Sequence, residues 1–220
     1  MHAPHAILLL GPTASGKTPF GDLLERNGLW ATRCVHFDFG RQLRHVAAAP
    51  GPSHSLTPRE ADIVRSALRA GALLEDHQFP IATKLLQAFL ADRAVGAHDI
   101  LVLNGLPRHI GQATAMDNMV HIVAIVELSC SPDAVLARIR TNAGGDRIGR
   151  IDDDTEAVRH KLALYAERTT PLCHHYRHLG VPVRSLPVDA RTTPDELWHA
   201  IECVPVAPFA RKEAPRHAPT

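Results

Sequence analysis

The sequence predicts a three-layer α/β fold built on a central five-stranded parallel sheet, and three observations predict it. The first is Gly11-Pro12-Thr13-Ala14-Ser15-Gly16-Lys17-Thr18, a complete G-x-x-x-x-G-K-[ST] pattern. It sits between the apolar run Ala6-Ile7-Leu8-Leu9-Leu10 and a helix-like segment that ends near Gly28. The second is the alternation of short apolar runs, at 6–10, 32–37, 99–103, 120–128 and 181–186, with segments of helical periodicity. That order produces parallel strands covered on both faces. The third is a pair of capping boxes, Thr57-Pro58-Arg59-Glu60 and Thr193-Pro194-Asp195-Glu196, each with Thr at the N-cap, Pro at the first helical position and Glu at the third.

The loop carries the first functional expectation. Its glycines let successive backbone N–H groups turn inward, the following helix adds its positive N-terminal end, and Lys17 supplies a mobile cation, so Gly11, Ala14, Ser15, Gly16, Lys17 and Thr18 are expected to hold a polyphosphate. The Thr18 hydroxyl is expected to ligate Mg²⁺.

Composition bounds the alternatives. A chain of 220 residues and 24.0 kDa supports one well-buried domain. Its net charge of +1 provides no general attraction to nucleic acid or an anionic membrane, so small-molecule nucleotides are the expected partners. Of the 24 basic residues 20 are Arg, which suits bidentate phosphate contacts, although abundant Ala, Pro and His also fit a GC-rich genome. Cys34, Cys130, Cys173 and Cys203 form no C-x-x-C pair and lie far apart, as reduced thiols in a cytoplasmic protein do. No apolar run is long enough to span a bilayer, and the N-terminus lacks a charged region followed by a signal-length apolar one. A soluble, cytoplasmic monomer is expected.

Beyond the loop, Asp38 follows the second strand and opens a helix that stops at Pro50-Gly51-Pro52. The ends of such strands face a bound nucleotide, so Asp38 is expected to assist Mg²⁺ and Arg44 to hold an acceptor phosphate. Further amphipathic helices follow Thr57 and residue 76, the latter with Ile81, Leu85, Leu86 and Phe89 inward. Residues 38–92 therefore form a helical part between two strands. The third strand runs into Asn104-Gly105-Leu106-Pro107-Arg108, with Gln112-Ala113 beyond. Ser131-Pro132-Asp133 caps a helix bearing Arg138 and Arg140, and Gly149-Arg150-Ile151-Asp152-Asp153-Asp154 precedes Leu162, Tyr165, Thr170-Pro171-Leu172 and Tyr176.

These stretches resemble the adenylate kinases. Asn104 to Ala113 is similar to that family's D-G-F-P-R-x-x-x-Q-A, and Gly149 to Tyr176 to its G-R-x-D-D followed by R-L-x-x-Y-x-x-x-T-x-P-L-x-x-Y-Y. The likeness covers about residues 5–203. It implies a P-loop kinase domain over residues 1–204, with 38–92 as the acceptor-binding part, a short lid at 141–150 and a disordered tail at 205–220. It implies transfer of the γ-phosphoryl of ATP to a nucleoside monophosphate. By position, Arg44, Gly105 and Arg108 grip the monophosphate, and Gln112 reads its base. Lys17, Arg108, Arg138 and Arg150 act on the transferring phosphoryl.

Several positions depart from the family pattern. Thr18-Pro19 follow the lysine, Phe39 replaces a Thr, Arg41 replaces an acidic residue and Asn104 an aspartate, Lys161 replaces an arginine, and Asn142 stands where a lid arginine is usual. A binding protein with little turnover is the alternative that these departures raise. The loop is also similar, letter for letter, to that of tRNA dimethylallyltransferases, but the chain is shorter than those enzymes, lacks a basic RNA face, and its second half follows the kinases. The long amide of Gln112 favours AMP as acceptor, while Phe39 mildly favours another base. His174 and His178, four residues apart, share a helix face but have no third ligand at a catalytic spacing, and read as a solvated helix end.

Overall fold

Five strands, β1 (His5–Leu10), β2 (Cys34–Asp38), β3 (Ile100–Asn104), β4 (His121–Cys130) and β5 (Val183–Val188), pair in parallel in the order β2-β3-β1-β4-β5. They come from a computed structural model that describes residues 3–48, 56–145 and 154–203. The five-stranded parallel sheet read from the sequence is present, with shifted ends that have local causes. Thr32 is spent on a bridge in which it exchanges both backbone hydrogen bonds with Leu29, at 2.9 and 3.0 Å, so β2 starts at Cys34. Val181 donates its N–H to the Tyr176 carbonyl at 2.9 Å to close the preceding helix, and β5 starts two residues later.

Side-chain alternation along β1 divides the core. Ala6, Leu8 and Leu10 face one side of the sheet and Ile7 and Leu9 the other, which is why the strand reads as unbroken apolar sequence rather than alternating. On the second face Phe20 and Leu24 of α1 (Lys17–Asn27) pack with Leu197 and Ile201 of α9 (Pro194–Glu202) over Val102 and Val126. The first face is covered by helices that include α3 (Pro58–Ala70), α4 (Phe79–Asp92), α5 (Ile110–Met116) and α8 (Pro171–His178). Both capping boxes form as the sequence predicts: Thr57 Oγ1 accepts from Glu60 N–H and Thr193 Oγ1 from Glu196 N–H.

The described residues between β2 and β3 are largely helical, as expected. They form α2 (Phe39–Ala48), α3, a 3₁₀ turn at Asp76–Gln78 and α4. Ile81, Leu85 and Leu86 are buried, and the Phe89 ring stands edge-on to Phe37 at 5.0 Å. After β4, α6 (Pro132–Thr141) ends at Asn142 in the left-handed conformation, with φ 48°. Asn tolerates that geometry better than an arginine, which accounts for one departure from the family pattern. Next come α7 (Thr155–Leu164), a π turn at Tyr165–Thr169, and α8. Residues 146–150 of the expected lid, with Arg150, and the tail beyond 204 lie outside the described residues. No helix among the described residues is long and apolar enough to cross a membrane.

Candidate active site

Parallel pairing brings the carboxyl ends of three strands to one edge of the sheet. Asn104, the last residue of β3, is in register with Leu9 on one side and Asp38 on the other, so residues 66 apart in sequence become neighbours beside the loop after β1. A single cleft opens there. Gly11, Ala14, Gly16, Lys17 and Thr18 line it from the loop, Asp38 and Arg44 from β2 and α2, and Gly105, Arg108 and Gln112 from the turn after β3. Lys161, Tyr165 and Thr169 close it from α7 and the π turn. The described basic residues in this lining are Lys17, Arg44, Arg108 and Lys161, against one carboxylate, Asp38, a balance that suits polyanions.

The loop is shaped by its own contacts. Gly16 has φ +93°, and a Cβ added there would lie 3.1 Å from Arg138 Nη2, so both backbone sign and space call for glycine. Lys17 Nζ donates to the carbonyls of Gly11 and Pro12, at 2.6 and 2.7 Å, which holds its charge at the loop mouth. Ser15 is fully buried beneath the loop and does not line the cleft. Its hydroxyl lies 3.4 Å from Lys17 Nζ, so it braces the lysine from below.

Thr18 and Asp38 meet at the next point. The Thr18 hydroxyl donates to Asp38 Oδ2 at 2.6 Å, while Asp38 Oδ1 accepts the Arg41 backbone N–H at 2.9 Å in the manner of an N-cap on α2. One carboxylate thus fixes a helix start and holds the hydroxyl of the loop. Asn104 Nδ2 donates to Thr18 Oγ1 at 3.2 Å. Two hard oxygens side by side are donors of the kind that Mg²⁺ takes. Arg41, where the family carries an acid, turns away from the cleft and grips Asp22 through Nη2 at 2.8 and 3.1 Å.

At the other end of the cleft Arg108 is the distinctive group. Its guanidinium forms no hydrogen bond or ion pair with any described residue, and desolvation pulls its pKa below the ordinary arginine value. Its backbone is held firmly instead, the N–H by Gln112 Oε1 at 2.8 Å and the carbonyl by the Thr169 hydroxyl at 2.8 Å. A desolvated cation on an anchored backbone, with no counter-charge among the described residues, is a binding element for an anion.

Two residues that the sequence assigns to the nucleotide are engaged by other parts of the protein. Arg138 does not line the cleft: Nε donates to the Ala14 carbonyl at 2.9 Å and Nη1 to the carbonyls of Asp189 and Thr192, both at 2.8 Å, with 2% of the residue exposed. Buried carbonyls need donors, and this guanidinium meets three of them, so it braces the loop from behind. Gln112 does reach the cleft, but both ends of its amide are engaged. While Oε1 accepts from Arg108, Nε2 donates to the Leu74 carbonyl at 2.8 Å, tying the turn after β3 to the helical part.

His36, Asp22 and Thr169 were not singled out from the sequence. A histidine inside the apolar strand Cys34-Val35-His36-Phe37 is the one signal that pointed to the first two. The rings of His174 and His178 lie 4.2 Å apart at a tilt of 54°, with His178 Nδ1 2.9 Å from the His174 carbonyl oxygen, and they belong to no group of three metal-ligating side chains among the described residues.

No protein-family model matches the chain. Over 210 residues it is 31% identical to an adenylate kinase of Parvibaculum lavamentivorans, with 90% of each chain covered. It is 30% identical over 208 residues to an adenylate kinase of Thermus thermophilus, covering 91% of this chain and 97% of the relative. Against an adenylate kinase of Stenotrophomonas maltophilia it is 33% identical over 186 residues, covering 81% and 88%. Likeness over 81–91% of the chain makes the loop's match to tRNA dimethylallyltransferases a local one.

Proposed function

Because the chain belongs to the adenylate kinase family, we propose that it transfers the γ-phosphoryl group of ATP to AMP and releases two molecules of ADP. An oxygen of the AMP phosphate forms the new bond to γ-phosphorus as the bond to the β,γ-bridging oxygen breaks. Such a transfer asks the protein for alignment and charge neutralisation more than for covalent chemistry. The observation that carries the reading is the desolvated Arg108 guanidinium, unpartnered among the described residues, in the same cleft as the loop lysine. The donor's phosphates then lie along Gly11 to Thr18, and the acceptor phosphate between Arg44 and Arg108.

The site also fits Mg²⁺, with the Thr18 hydroxyl and the Asp38 carboxylate as the oxygens that would hold it. When bound, Mg²⁺ supplies neutralisation of charge on the phosphate oxygens. Helices α2 to α4 form the acceptor side and the segment after α6 the lid. For Gln112 to read adenine, its amide exchanges the Leu74 carbonyl for the base edge, a swap of one hydrogen bond for another. Action as a cytoplasmic monomer is part of this reading, a net charge of +1 giving no general attraction to nucleic acid or to an anionic membrane.

The test is ADP formation with ATP, Mg²⁺ and a panel of AMP, CMP, UMP and GMP. AMP is expected to give the highest kcat/KM by at least about tenfold, a difference of roughly 1.4 kcal/mol in transition-state binding. A clear preference for another acceptor overturns the choice of base. Nucleotide binding without turnover of any acceptor overturns the transfer itself.

A further inference from the structure

The position of Arg108 in the cleft is set from its backbone. Its guanidinium forms no hydrogen bond or ion pair with a described residue, so the bonds that fix it are those on its own peptide groups. The N–H is held locally, by Gln112 four residues on in the helix that the turn leads into. The carbonyl is held from a distance, by the Thr169 hydroxyl at 2.8 Å across 61 residues of sequence. A guanidinium lies several bonds from its Cα, so a small rotation of the peptide plane becomes a large displacement at the tip. Partners at the tip would correct such an error, and among the described residues Arg108 has none.

The sequence around Thr169 explains why its hydroxyl is there. Proline lacks an N–H and its ring presses on the carbonyl four residues back, so Pro171 prevents α7 from running into α8 as one regular helix. The chain widens instead into the π turn, where the Thr170 N–H reaches the Tyr165 carbonyl, five residues back, at 2.9 Å. Four residues of α-helix overshoot a full turn by about 40°, and the wider π turn brings the next four back. Lys161, Tyr165 and Thr169 therefore all reach the cleft. Thr169 is 5% exposed, and its one hydroxyl proton is spent on the Arg108 carbonyl.

The neighbouring residue of the same turn serves as an internal comparison. Arg168 pairs its two Nη atoms with the Glu75 carboxylate at 3.1 and 3.4 Å on the partly exposed surface, a pair of the kind that contributes little.

We propose that Thr169 is a positioning residue for acceptor binding: by tying the Arg108 carbonyl to the π turn, its hydroxyl sets the direction in which the guanidinium reaches into the cleft. The inference rests on the reading of Arg108 as the grip on the acceptor phosphate, and adds to it a residue that acts through the backbone and not on the nucleotide.

The experiment measures AMP binding by calorimetry, without donor, in the full-length chain and in Thr169→Val, Thr169→Ser, Arg168→Met and Arg108→Met, with ATP affinity measured beside it. Val keeps the shape of Thr and removes the proton, whereas Ser keeps the proton. Thr169→Val is expected to weaken AMP binding about tenfold at parental ATP affinity, while Thr169→Ser and Arg168→Met stay within about twofold of the parent. If Thr169→Val does not fold, Thr169→Ala, which also lacks the proton, takes its place. Parental AMP affinity in Thr169→Val beside a loss in Arg108→Met overturns the proposal and leaves the acceptor reading standing. Parental AMP affinity in Arg108→Met, or no AMP binding by the parent, overturns the acceptor reading and the proposal with it. A loss in Thr169→Ser or Arg168→Met as large as that in Thr169→Val, or an equal loss of ATP affinity, overturns the proposal as well, because the turn would then matter only as structure.

Discussion

Arg138 Nε and the carbonyl oxygen of Ala14 lie 2.9 Å apart, joining α6 to the loop after β1 across 124 residues of sequence. With the two further carbonyls on Nη1, the guanidinium acts as the loop's rear brace. Arg138→Ala should therefore cost about 3 kcal/mol of stability, because hydrogen bonds to a buried charge are individually strong and three carbonyls lose their donor. Denaturant unfolding measures this. A variant with parental stability and a greatly reduced kcat would instead restore Arg138 to the reacting phosphoryl.

Lys17→Ala should separate function from fold. The lysine satisfies the carbonyls of Gly11 and Pro12 at the partly exposed loop mouth, so its loss should cost only about 1 kcal/mol of stability. Turnover should fall about 100-fold or more, as when a preorganised donor to a reacting oxyanion is removed. Full activity in this variant would disprove the phosphate-loop reading.

Arg108 predicts the opposite balance. A desolvated guanidinium without a counter-charge among the described residues is a stored cost in the free protein, so Arg108→Met should leave the melting temperature unchanged or raise it. The same change should raise the KM for the acceptor roughly 10- to 100-fold. Marked destabilisation without a KM effect would show that the side chain is structural.

Acid stability should report on Asp22. Partial burial pushes its carboxyl upward, but hydrogen bonds and charge from His36 and Arg41 outweigh that and hold its pKa at about 2, below the unfolded value of 3.8. A depressed carboxylate stabilises the fold above the unfolded value, and its contribution is lost as pH falls from near 4 towards 2. Asp22→Asn should lower the melting temperature at neutral pH and flatten its decline across that window. An unchanged slope would mean that the pair forms equally in the unfolded chain.

The cysteines should divide by burial. Desolvation pushes the thiols of Cys34 and Cys173 up to about 12, and both are buried, so neither offers a thiolate at neutral pH. Cys203 is exposed. Maleimide should label Cys203 in the native protein, and Cys34 and Cys173 only after unfolding, as peptide mapping would show.

The phosphate loop, the strand order along the chain, the helix caps and the family were legible in the sequence, because each is a local pattern. A loop of given spacing binds phosphate by its own backbone, a Thr-Pro-x-Glu box caps its own helix, and an apolar run buried on both faces needs no partner to be recognised. The placement of Asp38 and Thr18 at the ends of recognisable elements was legible for the same reason. Only the tertiary structure decided what Arg138, Gln112, His36 and Asn104 do. A side chain's role there depends on which donors and acceptors of distant segments are left without partners, and no spacing along the chain records that account. Arg138 was drawn to three carbonyls and Gln112 to Leu74, while Arg108, equally arginine in the sequence, found no described partner. Asn104 looked like a lost carboxylate until parallel pairing set it beside Asp38, where its amide nitrogen lies 3.2 Å from Thr18 Oγ1 and 3.4 Å from the His36 ring.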